Sequence, residues 1–295
     1  MIDVSIIIVN YNTKSLLSDC IDSVFQNTQK VTFEIIVVDN GSVDGSREYF
    51  ENDNRIQYIY SEENLGFGKA NNVGAKFAIG KFLFLLNPDT LLINNAIKFL
   101  VDFLNQNPEV GIVGGNLYDS DLKPCLSYRQ YLPGLLWEIN DMSFGMFDRV
   151  IYGKRRIFNN TNHPLKVGYI TGADLLIKRD LYNLVSGFDE SFFLYYEETD
   201  LCKRVKDLGY QAVCVHSAKI QHLEGKSFSN PNSWQRTLRT EEGRKKYYIK
   251  NIKSSKRYVC NTFRRLSLTI KSVIDIRKVH RFNAKQQLLA FNKLW

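Results

Sequence analysis

Residues 81–90 read KFLFLLNPDT, so that five consecutive apolar residues, Phe82 to Leu86, run into the polar turn Asn87-Pro88-Asp89-Thr90. A short unbroken apolar run marks a strand buried on both faces, which points to a parallel sheet covered by helices. Pro88 has no N–H to give to a ladder, so the strand ends there and Asp89 is delivered just past its carboxyl end. In open α/β sheets that edge is where ligands bind. Asp89 has a second reading, as the cap of a helix starting near Leu91. The ligand edge gains weight because other segments aim polar groups at the same place.

Residues 4–9 form a β-branched run ending in Asn10-Tyr11-Asn12-Thr13. The spacing of Leu16, Leu17, Cys20, Ile21, Val24 and Phe25 predicts a helix over 14–27. Residues 33–38 are a second buried strand and stop at Asp39-Asn40-Gly41-Ser42. A helix opened by Asp44-Gly45-Ser46, a strand over 56–60, the turn Asn64-Leu65-Gly66-Phe67-Gly68-Lys69 and a helix over 70–78 lead to the 82–86 strand. This alternation implies a doubly wound parallel sheet. A helix over 94–106 and a strand over 110–113 follow.

The rhythm breaks between about residues 119 and 166, a stretch rich in aromatics that includes Lys154-Arg155-Arg156. A loop of that length inside a compact domain is usually a lid or binding segment. Residues 168–178 read as a strand interrupted at Thr171-Gly172-Ala173, followed by a short helix over 179–185. Phe192-Phe193-Leu194-Tyr195-Tyr196 runs into Glu197-Glu198-Thr199-Asp200 and a helix through Asp207. Residues 212–215 and 219–222 read as two closing strands, the second ending in His222.

Composition narrows the classes. No apolar run reaches the roughly 18 residues of a membrane span, and the first residues read as a strand, not a signal peptide. The five cysteines form no CxxC pair and leave an odd count, which favours free thiols in a reducing cytoplasm and argues against a zinc site. The net charge of +8 hides an asymmetry: residues 243–295 hold 15 Lys/Arg against one acid, Asp275, and the rest holds 24 Lys/Arg against 30 acids.

Three strand ends carry polar signatures at Asn10-Tyr11-Asn12, Asp39-Asn40-Gly41-Ser42 and Asn87-Pro88-Asp89. Carboxylates there can bind a base or ribose, or hold a hard cation bridging phosphates; for Asp39 the alternative is a turn residue supporting the Gly41 bend. Asn64-Leu65-Gly66-Phe67-Gly68 lacks the third glycine of a dinucleotide fingerprint and does not follow the first strand, which argues against a Rossmann dehydrogenase. The acids at 197–200 suit a helix's first turn. At the edge of an aromatic run they also suit a general base, because desolvation raises proton affinity. His222 is either a structural histidine or an imidazole ligand.

In this order the signatures resemble those of the inverting glycosyltransferases of family 2, and within them bacterial rhamnosyltransferases, over roughly residues 1–228. Gly187-Phe188-Asp189-Glu190 belongs to the same set. The resemblance implies a GT-A-type fold: a Rossmann-like, mostly parallel sheet flanked by helices over residues 1–235, with a basic, amphipathic helical extension over 236–295. It also implies roles. Asp39 would contact the nucleotide base, with Asn10, Tyr11, Asn12, Asn64, Gly66, Lys69 and Asn87 lining the nucleotide-sugar pocket. Asp89 would bind Mn²⁺ or Mg²⁺ and His222 would complete the metal shell, while Asn87 replaces the first acid of the family's Asp-x-Asp motif. Glu198 falls on the catalytic base, one methylene longer than usual, with Glu197 in reserve. Thr171, Gly172, Ala173, Tyr195 and Tyr196 would face the acceptor.

The function implied is transfer of a sugar, L-rhamnose from dTDP-rhamnose, onto a lipid-linked cell-surface glycan. A UDP-sugar donor (galactofuranose, hexose or N-acetylhexosamine) and a nucleotide-sugar-binding subunit without catalysis are the alternatives. In the extension, cations alternate with apolar residues from Lys256 to Arg281. Basic amphipathic helices of this kind lie on anionic membrane surfaces. The expected place is therefore the inner face of the cell membrane, peripherally bound and cytoplasmic. The same pattern suits a partner protein, and a homodimer is compatible with it; nucleic acid is not an expected partner.

Overall fold

The protein is described from a computed structural model covering residues 2–223, 234–275 and 277–295; Ile276 of the amphipathic extension and the end of the resembling region lie outside these. The elements run β1 (Val4–Asn10), α1 (Lys14–Asn27), β2 (Phe33–Asp39), α2 (Ser46–Phe50), β3 (Gln57–Tyr60), α3 (Phe67–Phe77), β4 (Phe82–Leu86), β5 (Thr90–Leu92), α4 (Ala96–Gln106) and β6 (Val110–Tyr118). Then come β7 (Tyr128–Arg129), α5 (Leu135–Met142), α6 (Met146–Tyr152), β8 (Leu165–Val167), β9 (Tyr169–Ile170), β10 (Asp174–Lys178), α7 (Arg179–Leu184), α8 (Glu197–Asp207) and β11 (Gln211–His222). The chain closes with α9 (Trp234–Asn251), α10 (Ser254–Ile274) and α11 (Lys278–Leu294).

Among the described residues, one sheet has the order β3-β2-β1-β4-β10-β6-β11-β5, with β8 added against β11. β3, β2, β1 and β4 are parallel. β10 then enters antiparallel between β4 and β6, so the sheet is mostly parallel. Strict alternation along each strand divides the core. Ile6, Ile8, Phe84 and Leu86 pack with Leu17, Ile21 and Leu100 on one side, and Ile7, Leu83 and Leu85 pack with Ala70, Leu181 and Leu201 on the other.

Several local expectations change. Residues 90–92 are strand β5, not the start of a helix, so Asp89 stands ahead of a strand and not at a helix N-terminus. The register of β5 against β11 pairs Thr90 with His222. The two closing strands are one strand, β11, whose pairing with β6 slips between Cys214 and Lys219; a bulge keeps the strand going where the pattern suggested a break. Residues 168–178 split between β9, which pairs β7 in a separate ribbon, and β10 in the main sheet. The long middle segment is not an open loop, because it folds into α5 and α6.

The cationic extension is also less free than composition suggests. Arg244 meets Glu138 at 2.9 Å, both buried, and the Tyr248 hydroxyl donates to the same carboxylate. Arg264 pairs with Glu241 and with Asp141, and Lys271 reaches Asp141 at 2.7 Å. These acids dock α5 onto α9 and α10. A small third core of Phe192, Tyr247, Tyr248 and Cys260, flanked by Tyr196 and Ile252, joins the same helices to the sheet domain.

One buried acid sits inside the sheet. Asp174 accepts the Gly115 N–H at 2.5 Å, level with the position where β10 leaves β6. Its other oxygen has no hydrogen-bond partner among the described residues. Burial, which outweighs the Gly115 bond, holds its pKa well above the ordinary carboxylate range. A raised folded-state pKa stabilises below the unfolded value of about 4 and loses that contribution as pH rises through the folded value. Asp174→Asn keeps the neutral acceptor without the ionisation. Melting curves should therefore place the variant above the wild type at pH 8, with the gap closing near pH 4; parallel pH profiles would refute a neutral Asp174.

Candidate active site

Parallel register brings the expected polar turns to one sheet edge. Asn10 lies level with Asp39, and Ile8 with Leu86, so residues 10–12, 39–42 and 87–89 emerge side by side. Asp39 is fully buried and ties these ends together. One oxygen accepts from Asn10 Nδ2 and the Tyr58 hydroxyl, both at 2.7 Å, and the other from the Ser42 N–H at 2.7 Å. Hydrogen bonds to a charged acceptor contribute about 1.5–3 kcal/mol each, so Asp39 organises the turn whatever else it does. Asn10 Nδ2 also reaches Ser42 Oγ, and Asn12, at φ 56°, accepts the Val43 N–H. Tyr11 stands exposed beside them. Ser42 and Tyr58 were not singled out from sequence; the Asp-x-x-Ser spacing that bends residues 39–42 is the signal for Ser42, whereas Tyr58 arrives through strand pairing alone.

Across β1, the turn after β4 is fixed from two sides. Asn87 N–H donates to the Ala173 carbonyl at 3.0 Å, and its own carbonyl accepts from Thr90. Asp89 is buried, and its Oδ1 lies 3.3 Å from His222 Nε2. The Leu223 N–H donates to the Asp89 carbonyl, which holds the end of β11 in place. The expected carboxylate and imidazole, 133 positions apart in the chain, are thus neighbours. Among the described residues no group of three His, Cys, Asp or Glu side chains gathers here. Two such donors fall short of a closed metal site, so a cation held between them would have to take its remaining positions from ligand phosphates and water.

The acidic pair comes from the first turn of α8. Glu197 is buried, and its Oε2 has no hydrogen-bond partner among the described residues. Burial first, and then neighbouring Glu198, raise its pKa. Glu198 keeps partial exposure, accepts from Thr199 Oγ1 at 3.3 Å, and is also raised by burial. The two point to different neighbours. A Cβ placed on Gly68 would lie 3.6 Å from Glu197 Cβ, and one on Gly172 would lie 3.8 Å from Glu198 Cβ. Glu197 therefore starts beside the 64–69 loop, and Glu198 starts beside the Thr171–Ala173 corner to which Asn87 is bonded.

The 64–69 loop is locked by close backbone approach. Gly66, at φ +80°, leaves no room for a side chain, since a Cβ would meet the Phe193 carbonyl oxygen at 2.3 Å. Asn64 Oδ1 accepts the Gly66 N–H and Phe67 N–H donates to Phe193. Lys69 is half-buried in the first turn of α3. Tyr195 and Tyr196 both have φ 73°, an uncommon left-handed pair for bulky residues. All the expected site positions thus lie on the carboxyl edge of the sheet or on the two segments leaning over it.

The family model described as glycosyl transferase family 2 matches residues 5–182. The chain is 28% identical over 210 residues to the N-acetylglucosaminyl-diphospho-decaprenol L-rhamnosyltransferase of Mycobacterium tuberculosis, covering 65% of this chain and 67% of that protein. It is 28% identical over 209 residues to the low-salt glycan biosynthesis hexosyltransferase Agl10 of Haloferax volcanii, covering 69% of this chain and 62% of that one. It is 27% identical to the y4gI protein of Sinorhizobium fredii over 80% of this chain, but spans only 26% of that longer protein. In fold it resembles the crystal structure of GalNAc-T7 with UDP, GalNAc and Mn²⁺, with a TM-score of 0.62 at 14% identity, over 100% of this chain and 56% of that one. With more than half of its length matched by the family model and a GT-A fold beneath it, this chain belongs to glycosyl transferase family 2.

Proposed function

We propose that the protein is an inverting, metal-dependent glycosyltransferase that moves L-rhamnose from dTDP-rhamnose onto a lipid-linked glycan. The observation that carries the reading is the Thr171–Ala173 corner, with Asn87 bonded to one end of it and Glu198 facing its middle. In this reading the corner links the turn that carries Asp89, the phosphate-side carboxylate, to Glu198, the proton acceptor. The donor assignment leans on the mycobacterial relative, whose name specifies an L-rhamnosyltransferase and a diphospho-decaprenol acceptor.

In this mechanism the 10–12 and 39–42 turns and the 64–69 loop hold the nucleotide, and Asp89 with His222 would hold Mn²⁺ or Mg²⁺. When bound, the cation offsets the charge that develops on the departing nucleotide diphosphate. Asn87 contributes an amide where a second acid would add charge, so the site leans on the phosphates for affinity. Glu198, the partly exposed member of the pair, accepts the proton of the acceptor hydroxyl as that oxygen attacks the anomeric carbon on the face opposite the leaving group. Glu197 stays behind it, and Tyr195 and Tyr196 border the acceptor side. A base must be ionised to act. Because Glu198 is raised, the transfer rate should climb with pH, with a midpoint above the ordinary glutamate value of about 4.3. Glu198→Gln should lower transfer by about 10²–10⁴-fold with donor binding intact. Unchanged transfer in that variant, together with loss in Glu197→Gln, would move the role to Glu197.

A panel of nucleotide sugars assayed with Mn²⁺, Mg²⁺ and chelator tests the donor. Turnover of dTDP-rhamnose should exceed that of UDP-galactofuranose, UDP-hexoses and UDP-N-acetylhexosamines, and chelator should abolish it. Preference for a UDP-sugar corrects the donor, and binding without turnover in any metal makes the chain a nucleotide-sugar-binding subunit.

The helical extension supports a peripheral place on the inner face of the cell membrane. No helix among the described residues is long and apolar enough to cross one. Tyr258, Leu266, Val273 and Ile274 on α10 and Val279, Phe282 and Leu289 on α11 are exposed, beside exposed Lys256, Arg265, Lys278 and Lys285. The one acid beyond residue 243, Asp275, is buried, so this surface carries no competing carboxylate. Reversing those four cations to Glu should weaken binding to phosphatidylglycerol vesicles at least about fivefold per site. Equal binding to neutral vesicles, or a dimer that hides the face, would refute the membrane assignment.

A further inference from the structure

We infer that α9 is a positioning element of the catalytic carboxylates, and that Gly243 and Lys250 set the place of Glu197 and Glu198 through the Tyr195–Tyr196 turn and Asp200. The inference rests on the glycosyltransferase reading of that pair and extends the active site into the helical extension.

The starting point is conformational. Glu197 opens α8 directly after two consecutive tyrosines at φ 73°. A bulky side chain in the left-handed region is strained and persists only where its surroundings over-determine it. Those surroundings come from both sides. On the sheet side, Phe67 donates its N–H to the Phe193 carbonyl, and Gly66 presses against the same oxygen. On the other side, everything comes from one face of α9.

Arg236 Nε donates to the Tyr195 hydroxyl at 2.9 Å. Arg239 lies 4.7 Å from the Phe193 ring centroid. Gly243 packs flat on the turn, because a Cβ there would sit 2.5 Å from the Tyr195 carbonyl oxygen and 3.2 Å from Tyr196 Cδ2. Lys246 donates to the Ser191 carbonyl, and the Tyr247 ring lies 5.8 Å from that of Tyr196. One turn further, Lys250 Nζ bridges Asp189 at 2.6 Å and Asp200 at 3.0 Å, and Asn251 Nδ2 reaches the other Asp200 oxygen at 3.2 Å. Burial pushes Asp189 up, but the bonds from Lys250 and Ser191 outweigh it and bring the carboxyl down to about 2, so the bridge is ionised at any working pH.

The spacing 236, 239, 243, 246, 247, 250 is one helical stripe. Its glycine sits where a helix would ordinarily avoid one, since glycine is a poorer helix former than alanine in a helix interior. Asp200 shares the first turns of α8 with Glu197 and Glu198, so its two partners from α9, Lys250 and Asn251, fix the azimuth of that helix, while Arg204 pairs with it within α8. Among the described residues, the titratable groups facing the pair are Tyr195 in the turn, Tyr169 from β9 and Cys202 further along α8. None of these three supplies a countercharge, so what α9 governs is the burial that its packing imposes.

The test uses the full chain carrying Gly243→Ala, or Lys250→Gln with Lys250→Arg as the conservative control. Lys250→Gln leaves Asp200 bonded to Arg204 and Asn251, so it keeps the chain foldable if the glycine variant fails. Both variants should bind the donor within about twofold of wild type, lose at least about tenfold in kcat for transfer, and show the acidic limb of the kcat profile displaced to lower pH as water reaches the carboxyls. Lys250→Arg should recover most of the rate. Amide hydrogen exchange of residues 191–200 should accelerate in both variants even if no nucleotide sugar is ever turned over, which separates this inference from the assignment of the reaction. Folded variants with wild-type kcat, the same pH profile and unchanged exchange in that segment would overturn it. Faster exchange without any wild-type transfer would keep the positioning role and sink the glycosyltransferase chemistry.

Discussion

Strand β4 is buried on both faces, so its backbone groups must find partners on both edges. β1 satisfies one edge in parallel and β10 the other in antiparallel sense. Most of the site follows from that requirement. The antiparallel strand has to enter at the carboxyl edge, and its approach delivers Thr171–Ala173 beside Asn87. The same insertion displaces β6 and β11 outward and lets β11 end against β5, where His222 meets Asp89. A fully parallel sheet would have left that edge with turns from one direction only.

What could be read from the chain follows from how local the cause is. The buried runs at 4–9, 33–38 and 82–86 have a local cause in β-branched and apolar packing, and they became β1, β2 and β4 almost residue for residue. The polar turns after them were legible because Pro88 and Gly41 stop a strand wherever they stand. The strand β5 was not, because three residues after a proline turn carry no period, and only their partner β11 makes them extended. The bulge in β11 likewise reflects the spacing of β6, not any residue in the 215–218 stretch. The acid pair at 197–198 was visible as a cluster, whereas their different surroundings, Gly68 beside Glu197 and Gly172 beside Glu198, are set by the fold.

Charge composition misled in a specific way. Counting cations beyond residue 243 describes a basic tail, but Arg244, Arg264 and Lys271 are turned inward onto Glu138, Glu241 and Asp141, and the more exposed Lys250 bridges Asp189 and Asp200. Four of those five acids precede residue 236, the expected boundary of the extension. Net charge by segment cannot reveal such pairing, because the partners of a buried ion pair sit wherever the fold brings them. What remains outside, a carboxylate-poor surface mixing lysines with aliphatic residues, is the part of the tail whose chemistry its composition describes.

The order of synthesis gives the Gly243 contact a further consequence. The sheet, the 64–69 loop and α8 all leave the ribosome before α9 does, and N-terminal units generally fold first as they appear. A nascent chain can therefore complete its sheet while the turn ahead of Glu197 still lacks half of its support. Assembly of the sheet and fixing of that turn become separate events in the life of the chain, the second waiting on a glycine more than forty residues downstream.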